Sequence, residues 1–159
     1  MFRLAGHITV IAVGKIRKSH WKMAQDDYVK RIERYTDFEL VELKDAVGHG
    51  QPDAVAMQKE GDLLLKAAQS ASRKIALTHT GRQMSSPRLA QYLQRQVELY
   101  GRVAFLIGGP LGFSDDVLVE CDEQLSLSPF TFPHELARVI LLEQIYRACT
   151  IINNEQYHK

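Results

Sequence analysis

An apolar run, Val103 to Ile107, stops at Gly108-Gly109-Pro110-Leu111-Gly112, and Ser114-Asp115-Asp116 then carries a helix-start signal. Glycines at a strand end let backbone approach a ligand closely, or simply turn the chain. The loop has no Lys, so it is not a GxxxxGK[ST] phosphate cradle. The earlier turn Val13-Gly14-Lys15-Ile16 has a single glycine and lacks the dinucleotide fingerprint. Two further loops follow strand-like runs, Leu77–Arg82 and Ser126–His134. In open parallel sheets, ligands bind outside the carboxyl ends of the strands. Three such loops converging could hold a flat, uncharged ring such as adenine through backbone groups. No carboxylate is placed for a ribose and no basic cluster for a phosphate. The pattern favours an adenosine without phosphates over a nucleotide.

Polar side chains gather in the last third. Arg138 suits a phosphate or base contact, or an ion pair with Glu135 three residues back. Glu143 and Arg147, four apart, form either a helix pair or part of a substrate site. His134 follows Pro133 at a helix start, where a capping or loop-packing role competes with a functional one. Tyr157 and His158 lie in the tail Asn153–Lys159, a kind of segment that is usually frayed. Near the other end, Gly14–Lys22 brings Lys15, Arg17, Lys18 and Lys22 together with His20 and Trp21. That composition suits phosphate contact with stacking, or a solvated turn whose Trp packs inward.

The elements that must position these groups alternate. Strands are expected at His7–Gly14, Phe38–Leu43, Lys74–Thr78, Arg102–Gly109 and over Glu123–Ser128. Helices are expected at Ser19–Tyr35, Asp53–Ala71, Ser86–Tyr100, around Ser114–Cys121 and at His134–Ile152. Ser19 and Ser86 are candidate caps, Pro87 suits a first helical position, and Gly61 is a local weakness. The order β-α-β-α-β-α-β-α-β-α predicts a single α/β domain over residues 1–159 with a largely parallel sheet. Apolar residues in the last helix run nearly around its circumference, so it must be covered on two sides. Either the domain buries it wholly or a second subunit covers one side; the small size of the chain favours the second subunit.

Composition narrows the classes. The chain has 159 residues, 45% hydrophobic and 25% charged, with a formal net charge of +1, so any nucleic-acid site must be local. No apolar run approaches a bilayer span, and the N-terminus has no secretory pattern, which predicts a cytoplasmic protein and no membrane partner. Cys121 and Cys149 are far apart, so neither a disulfide framework nor a metal site is implied.

Together, "FLIGGPLGFS" and "LSLSPFTFPHELARVILLEQIYRACTIINNEQYHK" closely resemble the RlmH family, the ribosomal large-subunit pseudouridine N3-methyltransferases of the SPOUT class. "ITVIAVGKIR", "LTHTGRQMSS" and the terminal "YHK" fall in the matching order, so the resemblance spans essentially the whole chain. It implies an α/β fold with a C-terminal trefoil knot, a homodimer, and S-adenosylmethionine as cofactor with no metal. Carried over by motif, the cofactor contacts are Leu77, Gly108, Gly109, Leu127, Ser128, Pro129, Phe130, Thr131 and Phe132. Thr78 stands where relatives commonly have Asp, which places that edge of the site in question. The acceptor N3 carries an imide proton, so a base or a polarising cation is useful. Catalytic candidates are His158, Arg138 and Glu143. Candidates for ribosomal RNA contact are Lys15, Arg17, Lys18, His134, Arg147 and Tyr157, with the tail folded over the site. The small net charge predicts weak binding to free RNA and dependence on an assembled ribosomal particle. The alternatives are a methyltransferase of the same class acting on another RNA, and a non-catalytic α/β nucleotide-sensing or protein-binding module. A calorimetric titration with S-adenosylmethionine separates the module from the enzymes.

Overall fold

The most apolar strand lies at the middle of the sheet. The computed structural model describes all 159 residues. Its elements are β1 (His7–Val13), α1 (Ser19–Glu33), β2 (Asp37–Leu43), α2 (Asp53–Ala67), β3 (Arg73–Arg82), α3 (Ser86–Tyr100), β4 (Arg102–Ile107), α4 (Asp115–Glu120), β5 (Glu123–Leu125) and α5 (His134–Ile152). The five strands form one sheet in the order β2-β1-β4-β3-β5, with every pairing parallel. Both faces of such a sheet must be covered, and β4 accordingly reads as a continuous apolar run. Its pleat sends Val103, Phe105 and Ile107 to one core, and Ala104 and Leu106 to the other. The first core is closed by α1, α3 and α5, through Ile32, Leu93, Val97, Leu142 and Ile145. The second is smaller and is closed by α2 and α4, through Leu64 and Val117. No helix is long and apolar enough to cross a membrane.

This layering creates a crevice. From β1 the chain leaves toward the face of α1, whereas from the adjacent β4 it leaves toward the face of α4. Loops that depart to opposite faces open a gap at the strand carboxyl ends, where parallel sheets place ligands.

Local chemistry explains where expectation and structure differ. Ser85, not Ser86, caps α3, accepting from the Arg88 N–H at 3.3 Å. The Ser86 hydroxyl instead donates to Gln144 Oε1 on α5 at 2.6 Å. Ser19 makes no cap. The carboxylate of Glu135, from the first turn of α5, accepts from the Arg17 N–H at 2.7 Å and the Lys18 N–H at 3.2 Å just ahead of α1. Burial opposes its ionisation, but these two N–H donors hold the carboxyl below its usual range. Strand β3 runs beyond Thr78 to Arg82 through a register shift. Gly81 permits this: a Cβ there would lie 2.7 Å from the Gln124 carbonyl carbon and 2.8 Å from its oxygen. Helix α2 ends at Ala67, four residues short of the expected Ala71, and β5 is only Glu123–Leu125.

This chain covers two faces of α5, with α1 and α3 packed against it. Val139, Leu141, Leu142, Ile145, Ala148 and Cys149 are buried among α1, α3 and the sheet. Burial raises the Cys149 thiol pKa to about 12, leaving it inert at neutral pH. A partly exposed stripe remains, with Leu136 and Ile140 near the start of the helix and Glu143 and Arg147 further along.

Candidate active site

At the crevice lies a cavity of about 550 Å³. It is walled by the end of β3 (Leu77–Thr80), the last residue of β4 and the loop after it (Ile107–Phe113), residues from 127 to 132, and His134 and Ala137 of α5. This volume falls in the usual range for small-molecule sites, which combine apolar walls with few polar groups. Gly108 and Gly109 keep the wall thin. A Cβ on Gly108 would stand 3.0 Å from Gly112, and one on Gly109 would stand 2.8 Å from Glu60 Oε1. Gly112 itself has a φ of +80°, a conformation that glycine adopts without strain.

The third wall is braced by hydroxyl bonds. Ser126 is buried, and its hydroxyl lies 3.1 Å from the His79 carbonyl and 3.0 Å from the Ser128 carbonyl. Ser128 Oγ accepts from the Phe130 N–H at 3.0 Å. These bonds fold 126–130 into a turn with Pro129 exposed at its apex. Among the expected cofactor contacts, Pro129 therefore does not face the cavity; Leu77, Gly108, Gly109, Leu127, Ser128, Phe130, Thr131 and Phe132 do. Thr78 is turned to use, its hydroxyl donating to Gln124 Oε1 at 3.2 Å on the cavity wall.

The basic first turn comes to the same rim. Because Glu135 holds the Arg17 and Lys18 amides, Lys15, Arg17 and Lys18 stand exposed beside His134. Arg17 also lies 3.7 Å from Asp45. The contact with His49 first, then backbone and Arg17, outweighs burial and keeps the Asp45 carboxyl below its ordinary range.

Arg138 is the main correction. Its side chain is 1% exposed and faces the interior, away from the cavity lining. The expected partner Glu135 is engaged with the first turn, and Glu42 of β2 takes its place at 2.7 Å. The same guanidinium donates to the carbonyls of Gly14 at 2.7 Å and Val13 at 3.3 Å, and to Gln25 at 3.3 Å. Its Nε has no partner. Burial pulls its pKa below the usual value, with Glu42 opposing. Arg138 thus braces the end of β1 against α1, β2 and α5, and its one unpartnered donor, the Nε–H, is buried away from the cavity.

Glu143, Arg147, Tyr157 and His158 do come together, but elsewhere. Glu143 Oε1 accepts from Arg147 at 2.6 and 3.1 Å and from the Tyr157 hydroxyl at 3.0 Å. The Arg147 guanidinium sits 4.7 Å from the Tyr157 ring centroid, and Tyr146 meets the same ring edge-on at 4.8 Å. The tail is anchored further by Tyr35, which donates to the Glu155 carboxylate. Burial and the Glu143 bond push the Tyr157 phenol well above its usual range, so it remains a donor. Arg147 lies 3.3 Å from His158 Nδ1. A guanidinium only donates, so Nδ1 accepts, and the proton of a neutral ring resides on Nε2. In this arrangement the neutral His158 ring keeps an Nε2–H donor that Arg147 does not use. Glu143 lies nine residues along α5 from His134, about 14 Å at ~1.5 Å per residue. None of the four lines the cavity, so the tail does not fold over its own chain's pocket.

Comparison with known proteins fits this geometry. A family model described as "Predicted SPOUT methyltransferase" matches residues 7–158. The chain belongs to the SPOUT methyltransferase family. Curated relatives in this family include the protein named ribosomal RNA large subunit methyltransferase H from Alkaliphilus oremlandii, 41% identical over 158 residues, covering 96% of this chain and 99% of that one. Another of the same name, from Limosilactobacillus fermentum, is 41% identical over 160 residues with the same coverage. Among solved structures, a probable methyltransferase from Bordetella pertussis Tohama I superposes with a TM-score of 0.58 at 16% identity, over 92% of this chain and 98% of that one. A probable methylase family protein from Haemophilus influenzae Rd KW20 gives 0.57 at 13% identity, over 96% of this chain and 70% of that one. At such identities the structures speak to the SPOUT fold alone.

Some residues escaped the sequence-based expectation. Gln124, Leu118 and Ala137 line the cavity, and Glu60 backs it, yet each is an ordinary residue inside an element. Only the tertiary packing of their elements brings them there.

Proposed function

We propose that this protein is an S-adenosylmethionine-dependent methyltransferase of large-subunit ribosomal RNA, acting on N3 of a pseudouridine. The observation that carries the assignment is the near-complete match, at 41% identity, to relatives named ribosomal RNA large subunit methyltransferase H. The cavity fits the cofactor. Its thin glycine wall and the apolar side chains of Leu77, Leu127 and Phe132 suit an uncharged nucleoside, and no lysine or arginine lines it for a phosphate. When bound, S-adenosylmethionine supplies a methyl group on a sulfonium sulfur, ready for in-line displacement. The chain's own part is to hold donor and acceptor in line, exclude water and ease loss of the N3 proton.

Lys15, Arg17 and Lys18, with His134 at the rim, supply the phosphate contacts. Arg147, oriented by Glu143, provides a polarising cation, and His158 Nε2–H donates to the substrate. Tyr157 supports both through its bond to Glu143. Since these groups stand along α5 away from their own chain's cavity, the active unit is a homodimer in which one copy's tail serves the other's pocket. Exposed Leu111 and Phe130 at the cavity rim, with Leu136 and Ile140 on α5, offer the apolar surface for that contact. The cytoplasm is the compartment where ribosomes meet such an enzyme. The C-terminal trefoil knot belongs to the same proposal. The chain from edge strand β5 must cross the strand ends, beside the 108–114 loop, to bring Glu135 to Arg17.

The experiment is nucleoside mass spectrometry of ribosomal RNA from a deletion strain, with and without the restored gene. Loss and return of one N3-methylated pseudouridine is expected. An unchanged modification profile overturns the assignment, and loss of a different modification moves it to another RNA target.

A further inference from the structure

One buried carboxylate backs the cavity without entering it. Glu60 on α2 is 3% exposed, and its Oε2 accepts from the backbone N–H of Ala46 at 2.8 Å and of Val47 at 3.1 Å. Its other oxygen faces the glycine wall, 2.8 Å from where a Gly109 Cβ would stand. The next residue meets the far end of the same loop. A Cβ on Gly61 would lie 2.9 Å from both Ser114 Oγ and Val117 Cγ2. The glycine that weakens α2 as a helix is therefore what lets α2 lie against the 108–114 loop. The turn that Glu60 holds borders a second cavity of about 340 Å³, flanked by Lys44, His49 and Lys59.

A buried carboxylate is costly unless its oxygens are bonded, and an apolar residue would fill the same space without that penalty. Two backbone N–H bonds on one oxygen tie the Ala46–Val47 turn to α2, and the other oxygen fills the space beside Gly109 that a Cβ would need, which limits how far loop 108–112 can settle toward the helix. We propose that Glu60 is a positioning residue for methyl transfer, holding the Gly109 loop and the Ala46–Val47 turn in one register so that the cofactor cradle keeps its shape. This rests on the assignment of loop 108–112 to the methyl-donor cradle.

The test uses the full chain carrying Glu60→Ala, Glu60→Gln, Glu60→Asp, Gly109→Ala or Glu60→Ala with Gly109→Ala. Each is measured for thermal midpoint, calorimetric Kd for S-adenosylhomocysteine, and kcat and KM on ribosomes. Displacing a cradle wall by a fraction of an ångström should weaken S-adenosylhomocysteine about tenfold in folded Glu60→Ala and lower kcat at least as much, with KM for ribosomes nearly unchanged. Glu60→Gln, whose amide oxygen can accept both N–H bonds, should recover to within about threefold. Gly109→Ala should weaken binding in the wild-type background and much less beside Glu60→Ala, because the clash is then relieved. A folded Glu60→Ala with unchanged Kd and kcat, or strictly additive losses in the double variant, overturns the proposal. Should Glu60→Ala fail to fold, Glu60→Asp decides, since it keeps the charge but draws the oxygens back from Gly109. Wild-type Kd and kcat there overturn it equally. A Gly108→Val chain that binds S-adenosylhomocysteine normally would instead overturn the cradle assignment, and the proposal with it.

Discussion

Replacing Glu42 by Ala leaves the Arg138 guanidinium charged, 1% exposed and without its carboxylate partner at 2.7 Å. Breaking a buried pair from one side costs about 3–5 kcal/mol. The Glu42 side chain is 25% exposed, so water can enter where it stood, and the lower end, about 3 kcal/mol, is expected. Arg138→Met acts differently. It forfeits the bonds to Glu42, Gln25, Val13 and Gly14, but the remaining carboxylate can hydrate and the guanidinium no longer needs desolvation, for a net loss of about 1–2 kcal/mol. The two changes should therefore not add. In the Glu42→Ala background, Arg138→Met should restore stability rather than lower it further. Urea unfolding at one protein concentration reads this directly. With a slope of about 2 kcal/mol per molar, Glu42→Ala lowers the midpoint by about 1.5 M and the double variant by less. Equal, additive losses would refute the buried-brace account. So would an Arg138→Met chain of wild-type stability that has lost turnover, since that is the behaviour of a side chain touching substrate.

Three further outcomes are expected. Glu135 and Asp45 both titrate below their unfolded values, so their stabilisation is present above the ordinary carboxylate range and is lost as pH falls through the folded pKa. The urea midpoints of wild type and Glu135→Gln should accordingly converge on titration from pH 7 to about 3, and a constant gap would contradict the linkage. Tyr157→Phe removes the bond to Glu143 while keeping the ring packed on Arg147 and Tyr146. Hydrogen exchange in residues 153–159 should quicken about tenfold, equivalent to about 1.4 kcal/mol, with the sheet unaffected. Gly81→Ala drives a methyl against the Gln124–Leu125 backbone, which has no side chain to move aside. A loss of about 2–3 kcal/mol in thermal or urea unfolding is expected, with the damage confined to the β3–β5 edge.

Alternation of strand and helix was legible in the chain because periodicity is local. The short apolar run Val103–Ile107, ended by glycines, reads as a strand buried on both faces, and Pro87 after Ser85-Ser86 reads as the opening of a helix. The glycine wall was legible for the same reason: a Gly-Gly-Pro after a buried strand marks a turn whose backbone is exposed to whatever sits there. Similarity of motif pointed to residues Leu127–Phe132, all of which but Pro129 line the cavity.

What lay outside the sequence's reach depends on partners far apart along the chain. Arg138 reads locally as either a substrate contact or a partner of Glu135, because nothing near it in the chain points to Glu42 or to the Gly14 carbonyl. Ser19 looked like a cap because nothing local reveals that Glu135 supplies that acceptor from another helix. Gly61 reads as a weak spot, and Glu60 draws no notice at all, until α2 is laid against the 108–114 loop. Short-range preferences settle which elements form. Long-range packing decides which polar groups are consumed inside the fold and which remain for chemistry, since each buried donor or charge must find its partner in three dimensions.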